Sequence, residues 1–397
     1  MAIDFELTDE QRLLKDTVRQ VFKQFEPRRA EFREKMEKRI FIDEVWHAFA
    51  DAGFLGALVP EQYGGTNMGL LSLVLVMEEM SSMGYGNAIM MLTAMDALCV
   101  LNAGSEAMKR KWLPRMTDGS TKFCFAITEP DAGTNTFRIS TLARSDGDHF
   151  VVNGSKTFIT GVEAADYMLL VTRTTSYQEC VDRGLPKAHG FTLMLVDTKT
   201  PGLEKQLLPT RGIEGMNQWT LFFNDMRVPK ENVIGEVDNG ALALFYALNP
   251  ERIIAGSLAV GMTELVMRKA VDYAKERKLF GGKPFGAYQA IAHPLAEIKI
   301  QQELVRMMVY RSAWAYDKGL NPVEVGMYAN MAKYSGAELA IKAVDRAIQT
   351  HGGNGFSTEY GLIDLWQDAR LMRTAPISAE MILNYVGEHV LGLPRSY

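Results

Sequence analysis

A chain of 397 residues is long enough for two or three domains with a sizeable buried core. Its 47% hydrophobic and 23% charged residues are the make-up of an ordinary globular protein. A net charge of −5 offers no basic footprint for nucleic acid, and no run of about 18 apolar residues is present to span a membrane.

The three cysteines, Cys99, Cys124 and Cys180, are odd in number and unclustered. Neither a disulfide framework nor zinc spacing follows, so a reducing, cytoplasmic setting is expected. No basic stretch precedes an apolar one at the start, so no secretory signal is expected.

Residues 1–121 read as a helical domain. Thr8-Asp9-Glu10-Gln11 has the pattern of a capping box, with Thr8 as N-cap and Gln11 reaching back. It opens a helix whose apolar residues Leu13, Leu14, Val18, Val21, Phe22 and Phe25 recur at helical spacing. A second helix is expected over 41–52, ending near Gly53. The loop Pro60-Glu61-Gln62-Tyr63-Gly64-Gly65 breaks the pattern, and apolar helices resume over 70–102.

Over 122–239 the period changes. Strands are expected at 149–152, 167–172, 191–196 and 220–223, with turns at Asp146-Gly147, Asn153-Gly154 and Pro201-Gly202. Strands without alternating helices argue for an antiparallel sandwich or barrel. No Gly-x-Gly-x-x-Gly joins a strand to a helix, which weighs against a Rossmann domain. Helix returns over 240–397. The stretch 253–263 carries no charge and is expected to be buried on every side, with Gly256 and Gly261 allowing close packing. Further helices are expected at 295–318, 323–350 and 378–391. The fold class expected is α+β: an N-terminal helical domain, a central antiparallel β-sandwich or barrel, and a C-terminal domain like a four-helix bundle.

Two blocks stand out chemically. Phe125-Ala126-Ile127-Thr128-Glu129-Pro130-Asp131-Ala132-Gly133-Thr134 sets a hydroxyl and a small-residue turn after an apolar run. Phe158-Ile159-Thr160 places an aromatic and a hydroxyl on a strand just past the Asn153-Gly154 turn. Read singly, they are a β-turn with capping threonines and a core phenylalanine. They are joined, in order, by the 60–65 loop, by Arg277-Lys278-Leu279-Phe280-Gly281 with Gln289, and by Gln349-Thr350-His351-Gly352-Gly353-Asn354-Gly355. With these five blocks the chain resembles the acyl-CoA dehydrogenase family over essentially its whole length.

The resemblance implies an FAD site assembled from several places. Phe125, Ile127, Thr128, Gly133 and Thr134 would form one wall. Thr128 matches the hydroxyl at the flavin pyrimidine edge, and Thr134 stands where a serine usually contacts the pyrophosphate and borders the substrate. Phe158 replaces the common tryptophan packed on the flavin, and Thr160 matches the hydroxyl near N5. Fixed donors along that edge suit a ring that gains negative charge as hydride arrives. Arg277, Phe280 and Gln289 match residues that bind the FAD of a neighbouring subunit. Gln349, Gly352 and Gly353 match a pyrophosphate loop, and Ser378 and Glu380 match a further contact. The resemblance also implies a homotetramer (a dimer of dimers), an acyl-CoA substrate and electron-transferring flavoprotein as the acceptor.

The reaction implied is removal of an α-proton by a carboxylate while the β-hydrogen leaves as hydride. Most family members place the basic Glu eight residues beyond an Asp-Ala-Arg/Lys; counting from Asp368, that position is Pro376. Asn249-Pro250-Glu251-Arg252 instead matches a minority branch that includes isovaleryl- and long-chain-acyl-CoA dehydrogenases, which makes Glu251 the expected base and Arg252 its substrate-side neighbour. With Asn249 as cap and Pro250 first in the helix, Glu251 would lie in the first turn, where the dipole favours the anion and burial opposes it. Proline at 376 also lacks the N–H that, in the family, polarises the thioester carbonyl.

Pro376, Ile377 and Trp219 tilt the expectation toward a branched, cyclic or otherwise substituted acyl group. Glu214 stands where a basic residue is usual. Competing readings are an enoyl-CoA reductase, an acyl-CoA oxidase, a monooxygenase-like relative without the base, and a flavin-binding protein without dehydrogenase activity.

Overall fold

The computed structural model describes residues 6–213 and 215–395, so Glu214 lies outside the described residues. The chain begins with helices α1 (Asp9–Lys23), α2 (Arg29–Glu37), α3 (Asp43–Asp51), α4 (Gly69–Ser82), α5 (Ala88–Ala103) and α6 (Glu106–Thr117). Strands β1 (Phe123–Ala126), β2 (Leu142–Asp146), β3 (His149–Thr160) and β4 (Tyr167–Arg173) follow. A short helix α7 (Tyr177–Asp182) precedes β5 (Phe191–Asp197), β6 (Leu203–Leu208), β7 (Gln218–Pro229) and β8 (Val233–Ile234). Then come α8 (Gly240–Glu276), the small ribbon β9 (Lys278–Leu279) and β10 (Lys283–Pro284), α9 (Gln289–Asp317), α10 (Pro322–His351), α11 (Leu362–Met372) and α12 (Ala379–Tyr385). Among the described residues no helix is long and apolar enough to cross a membrane.

One compact unit gathers α1 with Met68–Gly86 and Arg252–Tyr397. The capping box at its first helix forms as expected: Gln11 N–H donates to Thr8 Oγ1 (3.2 Å) and Thr8 N–H to Gln11 Oε1 (3.0 Å). Helix α4 buries Glu78 and Glu79, which no helix interior tolerates unpaired. Lys15 and Arg19 of α1 reach them at 3.3 and 2.7 Å, and Arg306 of α9 reaches Glu78 at 3.1 Å. Within α8 the uncharged stretch 253–263 is buried at every position except the half-buried Ala255. A Cβ on Gly261 would come within 2.2 Å of the Glu78 carbonyl, so glycine is what lets α4 and α8 touch.

The other unit comprises Ala30–Asn67 and Asn87–Glu251. Its strands form one connected sheet in the order β6-β7-β3-β2-β4-β5-β8, with β1 added against β4. Most pairings are antiparallel, as expected, but β1 runs parallel to β4 and β2 meets β4 in parallel through Leu142 and Arg173. A strand that enters from helices, as β1 does after α5 and α6, is free of the hairpin rule that makes neighbours antiparallel.

Two local expectations are corrected. Asn153-Gly154 is not a turn: β3 runs through it, with a register shift against β7 between Val152 and Gly154. Strands β2 and β7 flank β3 on both sides, and Asn153 exchanges hydrogen bonds with Asp225 (2.9 Å each), so pairing overrides the local turn preference. Secondly, α8 begins at Gly240, with Pro250 inside it. Asn249 is therefore not its cap and Glu251 is not in its first turn. Burial of Ala241, Ala243, Leu244 and Ala247 holds the preceding turns helical, although Pro250 has no N–H to offer the carbonyl of Tyr246. The dipole argument for Glu251 falls away.

Candidate active site

The site in the sheet-containing unit starts where β1 ends. Beyond Ala126 the chain closes a tight turn, with Ala132 N–H donating to Glu129 O (3.1 Å) and Glu129 N–H to Ala132 O (3.3 Å). Beneath it lies Lys156 of β3, fully buried, whose Nζ donates to Glu129 Oε1 and to Ile127 O, both at 2.8 Å. Glu129 also accepts from Ser140 N–H (2.5 Å), Ser140 Oγ (2.8 Å) and Thr141 N–H (2.9 Å).

Burial pushes the Glu129 carboxyl up, but the Lys156 charge and these donors together hold it below its ordinary range. Burial lowers the Lys156 ammonium to about 8, with Glu129 opposing. The pair is ionised at neutral pH. It fixes the 127–132 turn, and so Thr128, to the floor of the sheet.

Thr157 N–H donates to Thr128 O (2.8 Å), which draws the turn alongside an irregularity in β3 between Lys156 and Ile159. There Phe158 takes a φ of +56° and its ring is 59% exposed. A bulky residue in the left-handed region costs about 1–2 kcal/mol, and such strain recurs at ligand sites. A ring turned outward at that cost fits the face of an isoalloxazine. Two residues on, the Thr160 hydroxyl and the Gln218 amide share hydrogen bonds of 2.9 and 3.1 Å, which orients the hydroxyl. Trp219, paired with Ile159, is held by its indole N–H on Glu163 Oε2 (2.6 Å). Phe125 and Ile127 are half-buried, while Gly133 and Thr134 are exposed at the end of the turn.

A Phe158→Gly protein tests this reading. Its apo form should melt no lower than the parent, since glycine accepts the +56° backbone, yet it should retain markedly less FAD through gel filtration. Unchanged FAD retention would mean the ring does not face the cofactor.

In the same unit Glu251 is 7% exposed, within α8. Its charge is felt by Asp96 of α5, which is 1% exposed. Burial first, and then Glu251, push the Asp96 carboxyl well above its ordinary value. Neither Asp96 oxygen has a hydrogen-bond partner among the described residues. Burial, Asp96 and Glu251 likewise raise the Cys99 thiol. Sequence reasoning missed Asp96, although it is the one charged residue in Ala88–Ala103 and so was visible.

The remaining expected residues belong to the helical unit. Arg277 closes α8, Phe280 projects 84% exposed between β9 and β10, and Gln289 opens α9. Gln349 is exposed on the last turn of α10, followed by Gly352 at φ 58°, ψ −132°, a conformation closed to side chains. A Cβ on Gly353 would meet nothing within 4 Å, so packing gives no reason for glycine there, and the open backbone suits a diphosphate. His351 anchors this loop by stacking on Tyr273 (4.3 Å between ring centres) and bonding Ala347 O through Nδ1 (2.7 Å).

Ser378 caps α12 by accepting from Met381 N–H (3.3 Å), with Glu380 exposed in the first turn. Pro376 is exposed, and the buried Lys333 ammonium donates to the carbonyl of Ile377 beside it. Arg252 is half-buried.

The acyl-CoA dehydrogenase N-terminal domain matches residues 8–120, the middle domain 124–226 and the C-terminal domain 238–391. The chain is 40% identical to Acyl-CoA dehydrogenase FadE12 of Mycobacterium tuberculosis, over 92% of each. It is 33% identical to cyclohex-1-ene-1-carbonyl-CoA dehydrogenase of Syntrophus aciditrophicus, over 92% of this chain and 86% of that protein. The solved butyryl-CoA dehydrogenase of Megasphaera elsdenii superposes with a TM-score of 0.89 at 29% identity, covering 98% of this chain and 100% of the other. The chain thus belongs to the acyl-CoA dehydrogenase family, FAD-dependent oxidoreductases acting on the CH–CH group of acyl-CoA thioesters.

Proposed function

We propose that Glu251 is the base that removes the α-proton of the acyl-CoA. The observation that carries this is its burial within the unit that also holds the 127–132 turn and Phe158, while the loop position carries Pro376 instead of a carboxylate. A buried carboxylate is poorly solvated and therefore a stronger base toward carbon acids. When bound, FAD supplies the acceptor for the hydride from the β-carbon. Thr128 and Thr160 would hold its ring edge, Phe158 its face, and the 349–353 loop a diphosphate. Thr134 and Arg252 would border the thioester.

The acyl group we favour is branched, cyclic or substituted. Trp219 brings bulk next to the β3 irregularity, and the relative from Syntrophus carries a cyclic acyl group in its name. Electron-transferring flavoprotein is the proposed acceptor. A homotetramer is supported by the exposed apolar residues Ile300, Leu304, Met307 and Trp314, spaced along one side of α9, and by the projecting Phe280.

The test is anaerobic bleaching of the bound flavin by a panel of straight, branched and cyclic acyl-CoAs. Reduction by a branched or cyclic member, followed by reoxidation with electron-transferring flavoprotein and not with air, is the expected outcome. Pro376 favours a second reading, a flavin-binding protein without turnover, because one donor to the thioester carbonyl is missing. Absence of bleaching by every thioester would select it.

A further inference from the structure

The sheet-containing unit holds a cavity of about 590 Å³, a size usual for small-ligand sites. Its walls include Arg144 and Ser145 of β2, Phe150 of β3, Thr174 after β4, Lys230 after β7, and Asp238 ahead of α8. Asp238 takes a φ of +66° and is held there on three sides. Its Oδ1 accepts from Thr174 Oγ1 (2.6 Å), its N–H donates to Thr192 Oγ1 (2.9 Å), and its carbonyl accepts from Gly190 N–H (2.8 Å). Opposite in charge, the Lys230 ammonium lies over the Phe150 ring, 5.6 Å from its centre, while Lys230 N–H donates to Asp148 O (3.0 Å). The walls are therefore fixed by backbone and hydroxyl bonds that do not engage the two cationic heads.

The acids next to those cations in sequence are taken elsewhere. Asp146 pairs with Arg227 (2.7 Å) and Glu231 with Lys111 (3.5 Å). Glu179 of α7, held down first by its bonds with Ser176, also feels Arg144, but no ion pair joins them. Among the described residues neither Arg144 nor Lys230 has an ion pair or a side-chain hydrogen bond. Two cations against the one Asp238 carboxylate leave the lining with an excess of positive charge. The positive end of α8 begins two residues past Asp238 and adds to it. A phosphate monoester brings close to two negative charges and three acceptor oxygens. It can meet an arginine fork, a lysine and a serine hydroxyl together, where a carboxylate satisfies one cation.

The cavity is also continuous with an apolar track. Val237, which lines it, is exposed, and so are Leu242, Phe245 and Tyr246, spaced i, i+3, i+4 on one side of α8. Glu251 stands about three turns beyond Gly240, or about 16 Å along the helix. Acyl-CoA has the matching layout: a thioester, a long uncharged arm, and a nucleotide that ends in a 3′-phosphate monoester.

We propose that this cavity is a phosphate-monoester site, in which Arg144, Lys230 and the Ser145 hydroxyl take the 3′-phosphate of the acyl-CoA and so favour thioesters that carry it. This rests on the acyl-CoA reading, and the run along α8 rests on Glu251 as the base.

The first arm of the experiment is calorimetric binding to the FAD-loaded full chain. Adenosine 3′,5′-bisphosphate should bind about tenfold more tightly than AMP, and the gap should narrow as salt rises. Both cations are exposed and unpaired, so an Arg144→Gln/Lys230→Gln protein should melt with the parent. It should bind the two nucleotides equally, while Arg144→Lys, which keeps the charge, should keep most of the gap. The second arm compares an acyl-CoA with its 3′-dephospho form in flavin reduction. In the parent KM should rise about tenfold on removal of the phosphate with kcat little changed, and in the double variant the two KM values should coincide. Equal binding of bisphosphate and AMP by the parent, or an unchanged gap in the double variant, would overturn the proposal. Inorganic phosphate binding as tightly as the bisphosphate would assign the site to free phosphate and overturn its part in substrate recognition. Glu251→Gln should lose flavin reduction yet keep the nucleotide gap, so failure of the base and failure of this site are read separately.

Discussion

Glu251→Gln should slow flavin reduction by acyl-CoA by about 10²–10⁴-fold, the range contributed by a positioned general base. The substitution keeps shape and helix propensity, so FAD content and melting temperature should stay near those of the parent. Because proton abstraction belongs to the transition state, kcat and kcat/KM should fall together, and KM should change little. Glutamine also removes one of the two influences that raise Asp96, leaving burial alone. Burial still holds the Asp96 carboxyl above its ordinary value in that variant. Near-normal single-turnover reduction with FAD bound would exclude Glu251 as the base.

Lys156→Met should be the most damaging change to stability, lowering it by about 3–5 kcal/mol, the cost of leaving one member of a buried pair behind. Ser140 and Thr141 still donate to Glu129, so the loss should fall within that range and not beyond it. FAD retention should fall as well, because Lys156 also holds the carbonyl of Ile127 beside Thr128.

The pH dependence follows from Glu129. Its folded value lies below 4.5, so its contribution is fully present above that pH and is lost as pH falls through the folded value. Without Lys156, burial dominates and the folded value rises, so the variant should lose stability at a higher pH than the parent. Denaturant unfolding of both proteins across pH 3–7 measures this. Coincident acid profiles would show that the pair does not lock the turn.

Much of the architecture was legible because local chemistry and burial agreed. The Thr8 box, the uncharged 253–263 stretch and the strands at 167–172 and 191–196 are places where capping, periodicity and packing point the same way. The failures occur where they diverge. Asn153-Gly154 has turn chemistry, yet strands pair on both sides of it. Asn249-Pro250-Glu251 has the signature of a helix start, yet buried alanines and Leu244 carry the helix through it.

Within the candidate site, motif order singled out the residues proposed to face the flavin. It could not reveal how Phe158 reaches its position, since a positive φ for phenylalanine has no sequence signal. Lys156 and Glu129 lie 27 residues apart, and only the β3 pairing brings them together. Asp96 had a plain signal, a lone acid in an apolar helix, whose meaning depends on Glu251 being near it in space.

The fate of the cysteines bears on how long such an enzyme survives its own chemistry. The product of α,β-dehydrogenation is an enoyl thioester, an electrophile to which a thiolate adds at the β-carbon, and a thiol must ionise before it can attack. Cys99, Cys124 and Cys180 are all free and buried. Burial pushes the first two thiols well up, and Cys180 Sγ is engaged with the carbonyl of His189 at 3.3 Å. For Cys99, Asp96 and Glu251 act in the same direction as its burial. Burying all three thiols thus shields the protein from alkylation by an enoyl thioester.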